Sequence, residues 1–412
     1  MPPKPTSPAR SKSPARRKHG RSTSPARDPP AEGKPAAARR RTKSPPTPPG
    51  DAPAKVIGNR VSGPVKRSPA ALVALSEKKS KESIWDAVEP FKRQTSDSQF
   101  DAAQMLKFIT WNVAGLRGML KKDEKVIANF LKTESPDVLC LQETKLNVGD
   151  EAANDALGVV EGYTFADHPC RAKKGYSGTR TYIKTSSMLQ LLHAHHTRGF
   201  HLPGQGGAAA ASGDAEGRVL STFFNLPGRK SEAALPALAI INTYVPNSGM
   251  TLDRLPYRTQ EFDAEMRTYL ADVARLCHAN GAKASGAAAP PVGGFIWTGD
   301  LNVAERDFDR YYSGTFKTMQ DCSGFTPEER WSFRETLKKT DAVDTFRHFY
   351  PNAGPAYTFW SARLNGRAKG LGWRLDYFVV SANLAPSVVD CFPMQHVMGS
   401  DHCPVQMWLR KS

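Results

Sequence analysis

Three apolar runs, Phe108-Ile109, Val138-Leu139-Cys140-Leu141 and Phe295-Ile296-Trp297, read as buried strands. Each passes at once into a polar stretch: Thr110-Trp111-Asn112, Leu141-Gln142-Glu143-Thr144 and Gly299-Asp300-Leu301-Asn302. Two further polar stretches follow, Trp373-Arg374-Leu375-Asp376-Tyr377 and Ser400-Asp401-His402. From about residue 105 strand-like runs alternate with helical ones, which predicts an α/β sandwich over residues 105–412. Ahead of it, in residues 71–104, Ile84, Trp85, Val88 and Phe91 recur at helical spacing. They predict a short helix with Ser83 as N-cap and an end near Pro90, docked on the following domain or offered to a partner. Residues 193–217 and 280–294 are rich in Gly, Ala and Pro and read as flexible surface insertions. His193, His195, His196 and His201 fall in the first, but its nearby carboxylates, Asp214 and Glu216, lie beyond the flexible segment, so no metal site is expected there.

Charge changes the picture at one end only. The chain has 412 residues and a formal net charge of +17. Residues 1–70 hold 17 Lys and Arg against 3 Asp and Glu, and the remainder holds 40 against 37. That tail is rich in Pro, Ser, Ala, Lys and Arg, with Ser-Pro-Ala-Arg starting at Ser7, Ser13 and Ser24. It buries too little apolar surface to offset chain entropy, which predicts disorder. Its charge suits polyanions, bound without sequence preference and in a salt-sensitive way. Ser7, Ser13, Ser24, Ser44, Thr47 and Ser68 each precede proline, and phosphorylation at any of them would remove about 1.5–2 units of charge. Arg16-Arg17-Lys18 and Arg39-Arg40-Arg41 with Lys43 fit signals for import factors, so a nuclear location is expected. A mitochondrial presequence shares the Arg- and Ser-rich composition, but the prolines oppose its amphipathic helix. None of the six cysteines forms a C-x-x-C pair, which argues against zinc, and reduced thiols are expected. No apolar run approaches the roughly 18 residues that span a membrane. A monomer is expected.

Polar groups placed at strand ends converge on one pocket of a packed sheet fold. Carboxylates, amides and a histidine gathered there suit a divalent cation and a phosphate, and so metal-dependent phosphodiester hydrolysis.

At these residues the chain resembles the exonuclease III family of apurinic/apyrimidinic endonucleases, within the wider endonuclease/exonuclease/phosphatase fold. The resemblance covers about residues 105–410 and rests on many stretches in order. Besides those above they include Gly175-Tyr176-Ser177-Gly178, Tyr244-Val245-Pro246-Asn247, Gly324-Phe325-Thr326-Pro327 and Thr358-Phe359-Trp360. It implies a four-layer α/β sandwich, two packed sheets flanked by helices. It implies a DNA-repair enzyme that uses Mg²⁺, or Mn²⁺ in its place, to cut double-stranded DNA 5′ to an abasic site and leave a 3′-hydroxyl. Processing of 3′ ends would use the same site. The alternatives are another phosphodiesterase of the wider fold and a non-catalytic nucleic-acid-binding protein that kept it.

The same resemblance implies the roles. Glu143 would be the principal metal ligand, with Asp401 in support, and Asp300 would activate the attacking water. Asn302, on the same side if its strand continues, would orient water or phosphate. Asn112 would hydrogen-bond in the same pocket, and Tyr244 and Asn247 would donate to phosphate. His402 would contact the scissile phosphate, with Asp376 fixing its tautomer and favouring its charged form. Phe359, Trp373 and Leu375 would form an apolar pocket for the baseless sugar, which flips out more readily than a stacked nucleotide. Lys145, Arg117, Arg218 and Arg258 are open between DNA-backbone contacts and internal ion pairs.

Three positions depart from the family pattern. Ala114 stands where relatives usually carry Asp or Asn beside the metal. Met250 and Arg363 stand where relatives insert side chains into the DNA, usually Arg at the first and Met at the second. An alanine neither ligates a cation nor holds its water, so metal binding is expected to be weaker or more permissive than in relatives. Ala114→Asp should lower the Mg²⁺ concentration for half-maximal rate several-fold, and an unchanged Mg²⁺ titration would sink this reading.

Overall fold

The computed structural model describes residues 56–57, 60–61, 78–203, 214–225, 236–281 and 293–411. Within the first 70 residues this covers only a short antiparallel ladder, Val56–Ile57 with Arg60–Val61. The expected disorder of the tail and the middle of both insertions lie outside the described residues.

In chain order the strands are β1 (Met105–Asn112), β2 (Val138–Gln142), β3 (Tyr163–His168), β4 (Thr179–Lys184), β5 (His193–Arg198), β6 (Val219–Asn225), β7 (Pro236–Tyr244), β8 (Gly294–Asp300), β9 (Ala342–Asp344), β10 (Phe359–Trp360), β11 (Gly372–Trp373), β12 (Asp376–Ser381), β13 (Val388–Pro393) and β14 (Val405–Arg410). One six-stranded sheet has the order β13-β14-β1-β2-β4-β3 and the other β9-β12-β8-β7-β6-β5, while β10 and β11 pair separately. Within the large sheets β1 with β2 and β7 with β8 are parallel; the other pairs are antiparallel.

Alternation of side chains along each strand builds the layers. Phe108, Val138, Cys140, Ile240, Ile296 and Phe378 pack in the core between the sheets. Their neighbours Ile109, Trp111, Leu139 and Leu141 face outward, under Ile127, Phe130 and Leu131 of helix Val126–Glu134. On the opposite flank Phe295, Trp297 and Val379 pack against Met266, Leu270 and Val273 of helix Asp263–Gly281 and Phe333 of helix Pro327–Lys339. The result is the expected four-layer sandwich. All six cysteines are free and buried. Among the described residues no helix is long and apolar enough to cross a membrane.

Two expectations need correction. His193–Arg198 is the edge strand β5, paired with β6, and not part of a loop. Its run of polar residues concealed it, because an edge strand is held by one ladder and can remain polar. The N-terminal helix spans Lys81–Trp85 and is capped by Ser80; Ser83 is the reciprocal partner in the capping box.

Beneath the Trp373–Tyr377 stretch lies a buried ion cluster. Asp309 accepts Arg374 Nε and Nη2 at 3.0 Å each and pairs with Arg347, and Arg374 also reaches Asp344 at 2.8 Å. Burial alone would raise the Asp309 pKa, but the two guanidinium groups hold it far below the ordinary carboxylate range. A carboxylate depressed on folding contributes stability that is present above its unfolded pKa of about 3.9 and is lost as pH falls through the folded value. Asp309→Asn leaves buried Arg347 without its paired anion and Arg374 with Asp344 alone, and should cost about 3–5 kcal/mol in urea unfolding at pH 7. The gap to wild type should shrink as pH drops below about 4; a constant gap would show that the charge of Asp309 is not its source.

Candidate active site

Strand direction gathers the polar residues at one end of the sandwich. Parallel pairing places Asn112 beside Gln142 in one sheet and Tyr244 beside Asp300 in the other. β12 runs against β8 and begins at Asp376, opposite Asp300. β14 runs against β1, so Ser400, Asp401 and His402 lie just before its start at the same end.

The buried amide of Asn112 links the two sheets. Its Oδ1 accepts the Ala114 amide N–H at 2.9 Å, which turns Nδ2 toward the carboxylates. Nδ2 donates to Glu143 Oε1 at 3.1 Å and to Asp300 Oδ2 at 2.9 Å. Glu143 follows β2 with φ 51°, and Asn302 lies just past β8 with φ 48°; both are left-handed at residues with side chains. Such strain, of order 1–3 kcal/mol each, persists where the surroundings enforce it. Asn302 therefore does not continue its strand, as expected from sequence, but turns back. Its N–H donates to Asp300 Oδ1 at 2.9 Å, its Nδ2 to Val245 O at 2.9 Å, and its Oδ1 accepts Asn247 Nδ2 at 3.0 Å. Just before Asp300, Gly299 has φ 136°, and a Cβ there would fall 1.9 Å from Thr243 O, so the approach of β7 to β8 requires glycine.

His402 Nδ1 lies 2.8 Å from Asp376 Oδ2, and its Nε2 lies 3.8 Å from Asp300 Oδ2. Burial disfavours the imidazolium, but Asp376, Asp300 and Asp401 outweigh it and raise the pKa to about 10. Burial raises Asp300, with Asp376 and Glu143 adding to it against the pull of His402 and Asn112, to about 7. Glu143 remains ionised: burial is opposed by Lys145, Asn112 and His402, and its pKa falls below the ordinary value. Lys145 Nζ sits 2.9 Å from Glu143 Oε2 and donates to Ala114 O at 3.0 Å. Burial pushes Tyr244 well above its usual pKa, with Glu143 and Asp300 adding to it, so its phenol stays protonated.

Phe359 pairs with Trp373 across the β10–β11 ladder, and its ring lies 4.8 Å from that of His402. Trp373 and Leu375 join Phe316, Met319 and Phe325 in one buried cluster. Asp401 accepts Ser400 Oγ at 3.3 Å and lines, with Ala114, Trp360 and Arg367, a cavity of about 430 Å³. Met250 stands exposed on a turn and Arg363 exposed in the short 3-10 helix Ala362–Leu364, both outside the buried polar group.

Two of the open cations are internal. Arg218 binds Glu216 at 2.6 Å and Tyr244 O at 3.0 Å, and Arg258 binds Pro246 O and Leu301 O at 3.0 Å each. Arg117 stays near the surface and donates to Asn154 at 3.1 Å. Two residues went unread in the sequence. Thr358 Oγ1 accepts the N–H groups of Leu375 at 2.9 Å and Asp376 at 3.1 Å, and so ties pocket to carboxylate. Arg310 lies 4.4 Å over the ring of Trp373. Thr358 stood inside a recognisable stretch; nothing in its sequence context marked Arg310.

The model of the Endonuclease/Exonuclease/phosphatase family matches residues 109–402. The chain is 37% identical over 303 residues to a DNA-(apurinic or apyrimidinic site) endonuclease of Dictyostelium discoideum, covering 73% of this chain and 69% of that one. It is 34% identical over 341 residues to the DNA repair nuclease APEX1 of Danio rerio, covering 82% and 92%. The crystal structure of the AP endonuclease LMAP from Leishmania major superposes with a TM-score of 0.77 at 58% identity, covering 84% of this chain and all of that one.

Removing the charge of Asp376 should release His402. In Asp376→Asn, nuclear magnetic resonance should find His402 titrating at or below about 6.5. Titration still above 9 would show that Asp376 is not what holds the imidazolium.

Proposed function

The chain belongs to the endonuclease/exonuclease/phosphatase family, and from that membership and its site we propose a DNA base-excision-repair nuclease that hydrolyses the phosphodiester 5′ to an abasic site. The observation that supports this reading is one continuous group: the Asn112-bridged carboxylates, the Asp376–His402 pair and, with Phe359 against His402, the apolar cluster of Trp373 and Leu375, which we read as the wall of a pocket for the baseless sugar.

The donors fit a hard divalent cation, Mg²⁺ or Mn²⁺. They are oxygen atoms, and Glu143 is ionised. Such a cation takes one or two carboxylates and keeps its waters. Glu143 would hold it, with Asp401 in support. When bound, such a cation neutralises charge on the scissile phosphate and the departing oxygen.

The remaining work falls to the chain's own groups. Asp300, raised to about 7, accepts a proton from the attacking water at neutral pH, and Asn112 and Asn302 hold its carboxylate in place. The charged His402 and the phenol of Tyr244 donate to the phosphoryl oxygens, where negative charge builds. Exposed Asn247 donates to a neighbouring phosphate. The bond from phosphorus to O3′ breaks and leaves a 3′-hydroxyl. Met250 and Arg363 wedge the duplex from their exposed positions. The same site trims 3′ ends. The basic tail adds salt-sensitive affinity for nucleic acid and carries the monomer into the nucleus through import factors.

A non-catalytic DNA-binding protein is the second reading, favoured by Ala114 and by the hold of Lys145 on Glu143. A duplex oligonucleotide with one abasic site, incubated with Mg²⁺, separates the two. The expected result is a single cut 5′ to the lesion with a 3′-hydroxyl, abolished by chelator and reduced at least about 100-fold in Asp300→Asn. No cut by wild type across Mg²⁺ and Mn²⁺ concentrations would favour the binding reading.

A further inference from the structure

The family model begins at residue 109, yet a segment ahead of it is packed into the apolar cluster that holds Trp373 and Leu375, the walls of the proposed sugar pocket. Ile84, in helix Lys81–Trp85, is 7% exposed and belongs to the cluster of Trp373, Leu375, Phe325 and Phe316. Trp85 packs on that cluster and on a second one formed by Tyr357, Trp360 and Cys403. Its ring centroid lies 6.4 Å from that of Phe308. Val88 and Trp85 close over Gly354, where an added Cβ would lie 3.0 Å from Val88 Cγ1 and 3.7 Å from Trp85 Cζ3. Both ends of the segment are pinned. Lys79 Nζ pairs with Asp307 at 2.8 Å, the N–H of Glu89 donates to Asn352 O at 3.0 Å, and Glu89 O accepts the N–H of Gly354 at 2.8 Å.

We infer that this strap sets the stiffness of the pocket, and that Ile84 and Trp85 are positioning residues for discrimination between an abasic sugar and an intact nucleotide. The inference rests on the abasic-site reading above. Among the described residues, the pocket cluster draws all its members from residues 304–375 except these two. The ring of Trp373 is fixed by Arg310 over it at 4.4 Å and by Phe325 and Tyr311 edge-on at 6.4 and 6.5 Å. A pocket that selects by exclusion works only if its walls do not yield, and close packing behind them is what resists displacement. Removing the Ile84 side chain leaves a space behind the wall into which Trp373 and Leu375 relax, and the pocket then admits a base-bearing nucleotide.

The test uses the full chain and the variants Ile84→Ala, Trp85→Ala, Ile84→Val and Phe91→Ala. Phe91 lies on the same segment but packs on Phe346 and Tyr350, with ring centroids at 5.5 and 5.2 Å, so it controls for loss of stability alone. For each, kcat and KM are measured for abasic incision and for removal of a matched 3′ nucleotide, together with urea unfolding. Ile84→Ala and Trp85→Ala should raise the ratio of matched-nucleotide removal to abasic incision at least fivefold. Ile84→Val should restore the wild-type ratio, and Phe91→Ala should lower stability while leaving the ratio within twofold. The inference is overturned if Ile84→Ala and Trp85→Ala also stay within twofold, or if Phe91→Ala shifts the ratio as much. The same variants in an Asp300→Asn background, read by Kd for abasic against intact duplex, test the pocket without the reaction. A wild type that binds selectively but does not cut therefore refutes the nuclease reading and leaves the strap to be judged on binding.

Discussion

One carboxamide holds the site together. Asn112 ends a strand of one sheet, and its two N–H bonds reach a carboxylate from each sheet, Glu143 and Asp300. These carboxylates repel one another, and without a shared donor the two strand ends would have reason to separate. The Asn112 oxygen is occupied by the Ala114 amide, so the donor end has one direction to face. The polar contact continues inward. Gln142 Nε2 reaches Thr110 Oγ1 at 2.9 Å and Asn242 Oδ1 at 2.7 Å, and Asn242 Nδ2 reaches Arg180 O at 2.9 Å. The interface between the sheets is thus apolar through its centre and amide-bonded near the site. Buried amides of this kind bond only in one register, which sets the two sheets against each other more narrowly than oil-like contact would.

The second support comes from below. In the chain Arg374 lies between Trp373 and Leu375, both in the apolar cluster beside the site, and Asp376 after them is the partner of His402. Its guanidinium is locked onto Asp309 and Asp344, and its ring neighbour Tyr377 donates to Val303 O at 2.5 Å. Thr358 completes the clamp by accepting the next two backbone N–H groups. Trp373, Leu375 and the Asp376–His402 pair are therefore held by one set of buried hydrogen bonds.

Electrostatics around Glu143 and His402 balance charge of both signs. Beside Glu143 this chain has Ala114, and the ammonium of Lys145 spans the Ala114 carbonyl and Glu143. The lysine supplies positive charge to Glu143 from within the chain, while Asp376, Asp300 and Asp401 do the reverse for His402. Charges of both signs alternate across the site, and this keeps Glu143 ionised and the histidine protonated at one pH.

Much of this was legible in the residues. The apolar runs at 108–109, 138–141 and 295–297 proved to be strands that pack on both faces, and the alternation within them determined the four layers. The polar stretches after them named the residues that meet. Other features were not legible. Strand β5 carries too few apolar residues to announce itself, because its partner strand supplies the ladder. Asn302 reaches Asp300 through a left-handed turn that periodicity does not anticipate. The internal roles of Arg218 and Arg258, the cation over Trp373 and the strap behind the pocket all join residues far apart in the chain. Local pattern was enough to say which side chains carry the chemistry and which strand ends present them. Distance arises only when remote segments pack, and distance sets which carboxylate faces which cation and which guanidinium is buried.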